Sequence, residues 1–383
     1  MSALAITFEN AEVLQRHGFE KTPLSIAEGL IVEDGAGRAI DLTGYHILPG
    51  IVDLHGDGFE RHLAPRRGAV KDLQTGFYAL HSELASNGIT TAVLAQIYSW
   101  EGGMRGPDFA REFLEHLKQF APKVPSTLLP QLRFETHMLD HYTEFAALCT
   151  RYAVPYVVFN DHLPHQALAK GKRPARLTGQ ALKSGRSPEE HLELLKVLHE
   201  KSDQVAAALP DLIAALGAGV LLGSHDDARA QDRRGWAAKG AAICEFPETK
   251  EAAEAAAALG NPVIMGAPNV VRGGSHKKNI SALELIQQGL CSALASDYHY
   301  PSPRLAALAL AKEIGLPAAW QLVSSGPAAI LGLKDRGHIK AGYRADLLIL
   351  DAKSQQVAAC FAGGALSYMS GDLAQRFLAL SRF

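Results

Sequence analysis

The sequence has few cysteines, almost no net charge and no long hydrophobic run near its N-terminus. Its four cysteines, Cys149, Cys244, Cys291 and Cys360, form no C-x-x-C pair, which argues against a disulfide-rich secreted domain and favours a reducing compartment. With a net charge of −2, the sequence has no basic excess of the kind typical of nucleic-acid-binding proteins. The first residues have neither a signal-peptide pattern nor a span of apolar residues. We therefore predict a cytoplasmic protein without nucleic-acid or membrane partners.

The composition predicts an ordinary globular chain. Hydrophobic residues make up 47% and charged residues 20% of the 383 positions, so extended disorder is not expected. This length suits one large α/β domain with a small appendage.

Short β-rich runs alternate with helical segments, a pattern typical of parallel βα units. Eight such runs lie at 46–57, 88–98, 126–136, 156–164, 219–227, 241–247, 261–269 and 291–300. Most change from apolar to polar residues at their C-terminal end, where a (β/α)₈ barrel carries its active site. We predict an α/β fold with a TIM-type (β/α)₈ barrel over 46–335, in which segment 170–190 forms a long loop.

Both ends of the chain contain strand-like pieces outside this alternation. They lie within 1–45 and 336–383. Because chain termini commonly lie close together, we predict a small β-sandwich domain assembled from both ends.

Residue types that bind metals end several of the eight runs. A lone pair such as His55 and Asp57 is also explained by a polar strand end with a capping aspartate. Several such side chains at one end of a barrel instead indicate a divalent metal site. Imidazole and carboxylate ligands suit zinc first, with manganese or iron as alternatives, and a shared carboxylate can bridge two ions. The predicted ligands are His55, Asp57, Glu135, His162, His225 and Asp297.

A catalytic metal needs an open position for water, whose pKa the metal lowers. Asp297 is the predicted base that takes the proton from this water. The alternative is that Asp297 only orients a ligand. Asp226 and Asp227 either orient His225 or cap the following helix.

Two basic segments are candidates for binding anions. The first follows the seventh run, and its glycines let the backbone approach a phosphate while its side chains supply donors. The second follows the first run, where guanidinium groups could bind phosphate oxygens in pairs. In both cases the alternative is a solvated basic turn. The predicted substrate-binding residues are Arg272, Gly273, Gly274, Ser275, His276 and Lys277 in the first segment and Arg61 and Arg66 in the second.

Several short segments of the sequence resemble motifs of the amidohydrolase superfamily. They are LPGIVDLH, GITTA, the SD pair at 296–297 in the eighth run, and RGHIKAGYRADLLILD. Within the superfamily the sequence is similar to the PhnM type of phosphonate catabolism through GSHDDA, EFPET and MGAPNVVRGGSHKKN. The first run has His-x-Asp where the superfamily commonly has His-x-His. Many members bridge two metal ions with a carboxylated lysine, and Glu135 is the candidate for that bridge in this sequence.

The resemblance implies a metal-dependent hydrolase that acts on α-D-ribose 1-methylphosphonate 5-triphosphate and releases pyrophosphate. A C–N hydrolase, either an amidase or a deaminase, remains the main alternative, because the same metal chemistry can attack a carbonyl or amidine carbon. A non-catalytic scaffold is the remaining alternative. The expected partner is a phosphorylated small molecule, and homo-oligomer formation is left open.

Overall fold

The structure is a computed structural model that describes residues 4–35, 37–64, 72–274 and 279–379. Four of the predicted substrate-binding residues, Arg66, Ser275, His276 and Lys277, lie outside these ranges. Among the described residues, no helix combines the length and the hydropathy that a membrane span would need.

Within the described ranges, eighteen strands form three sheets. The strands are β1 (Ile6–Glu9), β2 (Glu12–Gln15), β3 (Gly18–Lys21), β4 (Leu24–Ala27), β5 (Leu30–Val32), β6 (Arg38–Asp41), β7 (Tyr45–Pro49), β8 (Ile51–Gly56), β9 (Ile89–Tyr98), β10 (Thr127–Glu135), β11 (Tyr156–Asn160), β12 (Leu221–His225), β13 (Ile243–Glu245), β14 (Val263–Gly266), β15 (Ala293–Ala295), β16 (Leu347–Asp351), β17 (Val357–Ala362) and β18 (Ala365–Met369).

The described helices mostly occupy the segments between the strands of the largest sheet. They are α1 (Glu60–Leu63), α2 (Leu73–Ser86), α3 (Pro107–Phe120), α4 (Tyr142–Arg151), α5 (His165–Ala169), α6 (Leu177–Ser184), α7 (Pro188–Glu200), α8 (Ser202–Leu216), α9 (Ala230–Ala238), α10 (Lys250–Ala258), α11 (Ala267–Arg272), α12 (Ala282–Gln287), α13 (Ser302–Ile314), α14 (Leu316–Gln321), α15 (Ser325–Ile330) and α16 (Gly371–Leu378).

The largest sheet is the predicted barrel. Its eight strands follow one another in chain order from β8 to β15. The strand pairs for which the register is known are parallel. A parallel bridge between Gly56 and Asp297 links the two outermost strands. Each of the eight predicted runs contains one of these strands, so the TIM-type fold is confirmed.

Two local features differ from the sequence prediction. The run 46–57 contains two strands, because β7 ends at Pro49 and belongs to a different sheet from β8. Segment 170–190 is not a continuous loop, since helix α6 lies within it. The helix that follows it starts as the sequence favours: Ser187 and Glu190 form a capping box, and proline occupies the first turn.

The two smaller sheets come from both ends of the chain. One contains β5, β4, β1 and β6, and the other contains β18, β17, β16, β7, β2 and β3. They share a hydrophobic core to which Phe8 and Ile26 contribute from the first sheet and Ile47 and Phe361 from the second. The rings of Phe8 and Phe361 pack edge to face at 5.5 Å. A β-sandwich built from both termini is therefore present, and the exact boundaries given for it from sequence remain a prediction.

The chain divides into two compact units. The first contains residues 1–94, 119–128 and 264–383, and the second contains residues 95–118 and 129–263. The first unit holds the β-sandwich together with β8, β14 and β15, and the second holds β10 to β13 with helices α4 to α10. Predicted ligands fall in both units.

Candidate active site

In the second unit, ligand side chains from three neighbouring strand ends meet. Glu135 is the last residue of β10, His162 follows β11, and His225 is the last residue of β12. One oxygen of Glu135 lies 2.5 Å from Nδ1 of His162, and the other accepts a hydrogen bond of 3.0 Å from the His162 backbone N–H. Glu135 thus fixes both the ring and the backbone of His162.

Asp226 joins the two histidines of this group. Its Oδ1 lies 3.1 Å from Nδ1 of His225, and its Oδ2 lies 3.6 Å from Nε2 of His162. One ligand atom from each of His162, His225 and Asp226 lies within 4.8 Å of the others. Two imidazoles and a carboxylate at this spacing fit a divalent metal ion of the zinc class. Asp226 therefore contacts both histidines, while helix α9 begins only at Ala230.

The ionisation of this group follows from its contacts. Burial disfavours the charged form of His162, but hydrogen bonds with Asp226 and Glu135 outweigh burial and raise the pKa of His162 to about 9. Burial likewise opposes ionisation of Asp226. The charges and hydrogen bonds of His225 and His162 nevertheless hold the Asp226 pKa well below its usual range. The cluster is therefore an acid–imidazole network in which the carboxylate keeps its negative charge.

Glu245 ends the next strand and completes this part of the barrel mouth. It is the register partner of His225 in the ladder between β12 and β13, and it is fully buried. Its Oε1 accepts hydrogen bonds from Tyr156 Oη at 2.6 Å and from Gln131 Nε2 at 2.9 Å. On the other side, Arg133 Nη2 lies 3.0 Å from His225 Nε2. These polar neighbours hold the end of β12 in place.

A buried ion pair also stabilises the end of β12. The side chains of Arg233 and Asp227 are 0% and 1% exposed, and their N···O distance is 3.2 Å. Arg233 also donates to Ser224 Oγ at 2.8 Å and to the carbonyl of Ile243 at 3.1 Å. Ser224 and Asp227 flank His225 and Asp226 in sequence, so this pair positions the two candidate ligands between them.

A pocket of about 600 Å³ opens onto the histidines. His162, His225 and Asp226 line it, and Trp236, stacked at 5.4 Å on Phe159, lines it as well. The lining also contains two cationic side chains, Arg229 and Lys239, and three further carboxylates, Asp161, Asp227 and Asp232. Because Arg229 is paired with Asp232 and carboxylates outnumber cations in the lining, the pocket offers candidate metal ligands rather than a positively charged surface to an incoming molecule.

In the first unit, polar residues gather where β8 meets the segment after β15. The backbone N–H of Asp297 donates to the carbonyl of His55 at 2.9 Å, and the N–H of Asp57 donates to the carbonyl of Asp297 at 2.9 Å. Asp53, fully buried, accepts hydrogen bonds from the N–H of Ser296 at 2.8 Å and its Oγ at 2.6 Å. Burial raises the pKa of Asp53. The predicted ligands His55, Asp57 and Asp297 are therefore brought together by backbone pairing.

The two anion-binding segments predicted from the sequence also meet in the first unit. One arginine of each segment, Arg61 or Arg272, contacts Tyr298, the residue after Asp297. Arg61 Nη1 donates to the Tyr298 carbonyl at 3.0 Å, and the Arg272 guanidinium carbon lies 5.8 Å from the centre of the Tyr298 ring. Arg61 is also paired with Glu83. Gly273 and Gly274 follow Arg272 with φ values of 76° and 157°, which glycine adopts without strain.

The sequence prediction missed two carboxylates and left the role of a third, Asp226, open. Asp53 and Glu245 are wholly buried, and Asp226 faces both histidines. The available signal for Asp53 is its spacing: it lies two residues before His55, and side chains two apart in a strand point to the same face. The signal for Glu245 is the acid that closes the sixth predicted run, as Glu135 closes the third.

The chain is similar to known proteins over most of its length. A family model for the amidohydrolase family matches residues 206–360. The chain is 32% identical over 336 residues to the α-D-ribose 1-methylphosphonate 5-triphosphate diphosphatase of Escherichia coli K12, covering 84% of this chain and 87% of the relative. This chain belongs to the PhnM-type family of the amidohydrolase superfamily. As an amidohydrolase it is a hydrolytic enzyme, and its histidine–carboxylate clusters agree with the metal dependence typical of the superfamily.

Solved structures of other amidohydrolases share the fold. N-acetylglucosamine-6-phosphate deacetylase from Pasteurella multocida is 12% identical with a TM-score of 0.61, covering 95% of this chain and 99% of the other. The β-aspartyl dipeptidase of Fervidobacterium islandicum is 14% identical with a TM-score of 0.60, covering 96% and 98%. At these identities the likeness concerns the fold alone.

Proposed function

We propose that this amidohydrolase is a metal-dependent diphosphatase that converts α-D-ribose 1-methylphosphonate 5-triphosphate to the 5-phosphate and pyrophosphate. The relative from Escherichia coli carries this activity in its name. The structural observation that supports the proposal is the position of Arg61 and Arg272, which both contact Tyr298 directly beside Asp297. A triphosphate needs such cations, whereas a neutral cyclic amide does not.

The proposed ligands stand at the carboxyl ends of strands in one parallel sheet, or within two residues after them, and this is the end at which TIM-type barrels carry their active sites. The donor set suits zinc, bound as one or two ions, with manganese or iron as alternatives. When bound, such an ion lowers the pKa of water and polarises a phosphoryl oxygen. The proposed ligands are His55, Asp57, Glu135, His162, His225 and Asp297.

The chain's own residues supply proton transfer and charge. Water attacks the phosphorus next to the ribose, and the bond from that phosphorus to the oxygen bridging it to the next phosphorus breaks. Asp297 accepts the proton of the water. Arg61 and Arg272 stabilise the negative charge on the phosphate chain and on the leaving pyrophosphate.

A pyrophosphate-release assay tests this proposal. The panel contains α-D-ribose 1-methylphosphonate 5-triphosphate, ATP as a triphosphate without the phosphonate, and a cyclic amide and an adenine nucleoside as C–N substrates. We expect equal amounts of pyrophosphate and 5-phosphate from the first compound at the highest kcat/KM. Hydrolysis of a C–N bond, with no pyrophosphate from either triphosphate, would overturn the proposal in favour of an amidase or a deaminase.

A further inference from the structure

A second group of histidines lies in the second unit, outside the ligands proposed above. His137 follows β10 by two residues, Asp161 follows β11 directly, His165 begins helix α5, and His199 lies in the last turn of α7. Ligand atoms of His137, Asp161 and His165 lie within 4.8 Å of one another. Four separate segments therefore place an imidazole or a carboxylate at one position.

The distances around Asp161 match the separations within a metal site. Its carboxylate lies 3.0 and 3.1 Å from Nε2 of His165, and its Oδ1 lies 3.4 Å from Nδ1 of His137. Ligand atoms of a tetrahedral zinc ion lie about 3.3 Å apart, given bonds of about 2.0 Å. The cluster therefore needs little rearrangement to bind an ion.

The buried nitrogen of His137 distinguishes this cluster from an ordinary surface ion pair. The side chain is 5% exposed, and its Nδ1 makes no hydrogen bond among the described residues although it faces Asp161. Leaving a buried polar atom without a partner is costly. A bound cation would give this nitrogen its missing partner.

His199 supplies the contact that metal-bound histidines usually have. Its Nδ1 lies 2.8 Å from Nδ1 of His165, while the other ring nitrogen of His165 faces Asp161. A ligating histidine typically donates its remaining N–H to a second group, which fixes the tautomer and the ring orientation. His165 can therefore present Nε2 to an ion while Nδ1–H donates to His199.

We propose that His137, Asp161 and His165, with His199 behind His165, form an additional binding site for one zinc-class ion. The imidazole ligands favour zinc over magnesium or calcium, which prefer oxygen. The side chains of Asp161 and His165 are 43% and 33% exposed, so the site is open to solvent and can keep a water as a further ligand. The site shares the ends of β10 and β11 with the ligands Glu135 and His162 but uses other residues.

Zinc content per chain tests the proposal. The full chain is saturated with Zn²⁺, passed through a desalting column, and measured by mass spectrometry of the metal. We expect His165→Ala to contain about one ion fewer than the wild type. The matched control His17→Ala, on the exposed turn between β2 and β3, should match the wild type. We expect His199→Gln to keep the site but to weaken its zinc affinity by about 10–100-fold, measured by competition with a chromogenic chelator.

A second variant separates this site from the proposed catalytic ligands. His225→Ala should lose metal from the catalytic group but keep the ion that His165→Ala loses, so the losses should add in the double variant. Equal zinc content in wild type and His165→Ala would overturn the proposal. Loss of one and the same ion in both single variants, with no further loss in the double variant, would also overturn it. If His165→Ala does not fold by circular dichroism, Asp161→Asn, which keeps the shape of the side chain, replaces it with the same expected loss.

Discussion

The buried pair of Arg233 and Asp227 gives the sharpest prediction for stability. We expect Arg233→Met to reduce the free energy of unfolding by about 5 kcal/mol. Removing one partner of a buried ion pair costs about 3–5 kcal/mol, because a charge is left buried without compensation. The same substitution removes donors from the carbonyls of Ile243 and Ala241, and each such loss adds about 1–3 kcal/mol. Contributions within one network do not add fully. The expected total loss therefore stays near the upper end of the range for breaking the ion pair alone.

The neighbouring residue provides a matched control. Arg234 lies on the same helix but is exposed, and Arg234→Met should change the free energy of unfolding by less than about 0.5 kcal/mol. Urea unfolding followed by circular dichroism measures both variants. Ordinary stabilities are about 5–15 kcal/mol, so the expected loss is large enough to unfold a weakly stable chain.

The pH dependence shows whether the charge of Asp227 causes the loss. Burial raises the pKa of Asp227, and the charge of Arg233 opposes that rise, so removing Arg233 should raise the pKa further. A raised pKa in the folded state means that stability falls as pH rises through it. The deficit of Arg233→Met should therefore be smaller at about pH 5 than at about pH 8. Equal stability of Arg233→Met and Arg234→Met at both pH values would refute the reasoning.

Three further predictions concern the active site. Asp297→Asn should keep fold and metal content but lose at least about 100-fold in kcat, because it removes a proton acceptor with little change of shape; unchanged kcat would exclude Asp297 as the base. Arg272→Ala should lower kcat/KM for a triphosphate substrate about 10-fold or more, as a charge-assisted contact is worth about 1.5–3 kcal/mol, and an unchanged value with metal still bound would favour the C–N hydrolase. Chelation should abolish pyrophosphate release, and Zn²⁺ should restore it; full activity in metal-free protein would contradict the proposed site.

The barrel could be predicted from sequence because its strands are short, apolar and polar at one end. All eight runs are short and apolar, and most of them become polar at the C-terminal end, so no knowledge of distant contacts was needed. The error at the first run has a local cause as well. β7 and β8 are both apolar and only Gly50 separates them, so a hydropathy pattern merges two strands that pair with different sheets. The Pro49–Gly50 step was the available signal.

Helix α6 shows a different limit. Its segment is rich in glycine and basic residues and reads as a loop, yet Leu177 and Ala181 are buried on one face. Two apolar positions four residues apart are too few to stand out in a single sequence. Tertiary packing decides such short helices, since isolated ones are marginal in water.

The missed carboxylates could not have been predicted with the same ease. Asp53 is satisfied by Ser296, which lies 243 positions away, and Glu245 by Tyr156, 89 positions away. A buried carboxylate is tolerated only where such partners exist. The sequence shows the acid but not the partner, and only the fold joins them.

Two carboxylates beside the strand ends lie on left-handed backbone. Asp226 and Asp297 have φ values of 60° and 55°, and Asp226 directly follows its strand while Asp297 follows β15 by two residues. This left-handed region costs a residue with a side chain roughly 1–3 kcal/mol, although aspartate tolerates it better than most. In each case the backbone N–H donates to the end of another strand, to Glu245 from Asp226 and to His55 from Asp297. Glycine would adopt the same turn without this cost and keep the same hydrogen bond, but it would supply no oxygen. A carboxylate that is used offsets this cost: Asp226 contacts both His162 and His225, and Asp297 is a proposed ligand and the proposed base.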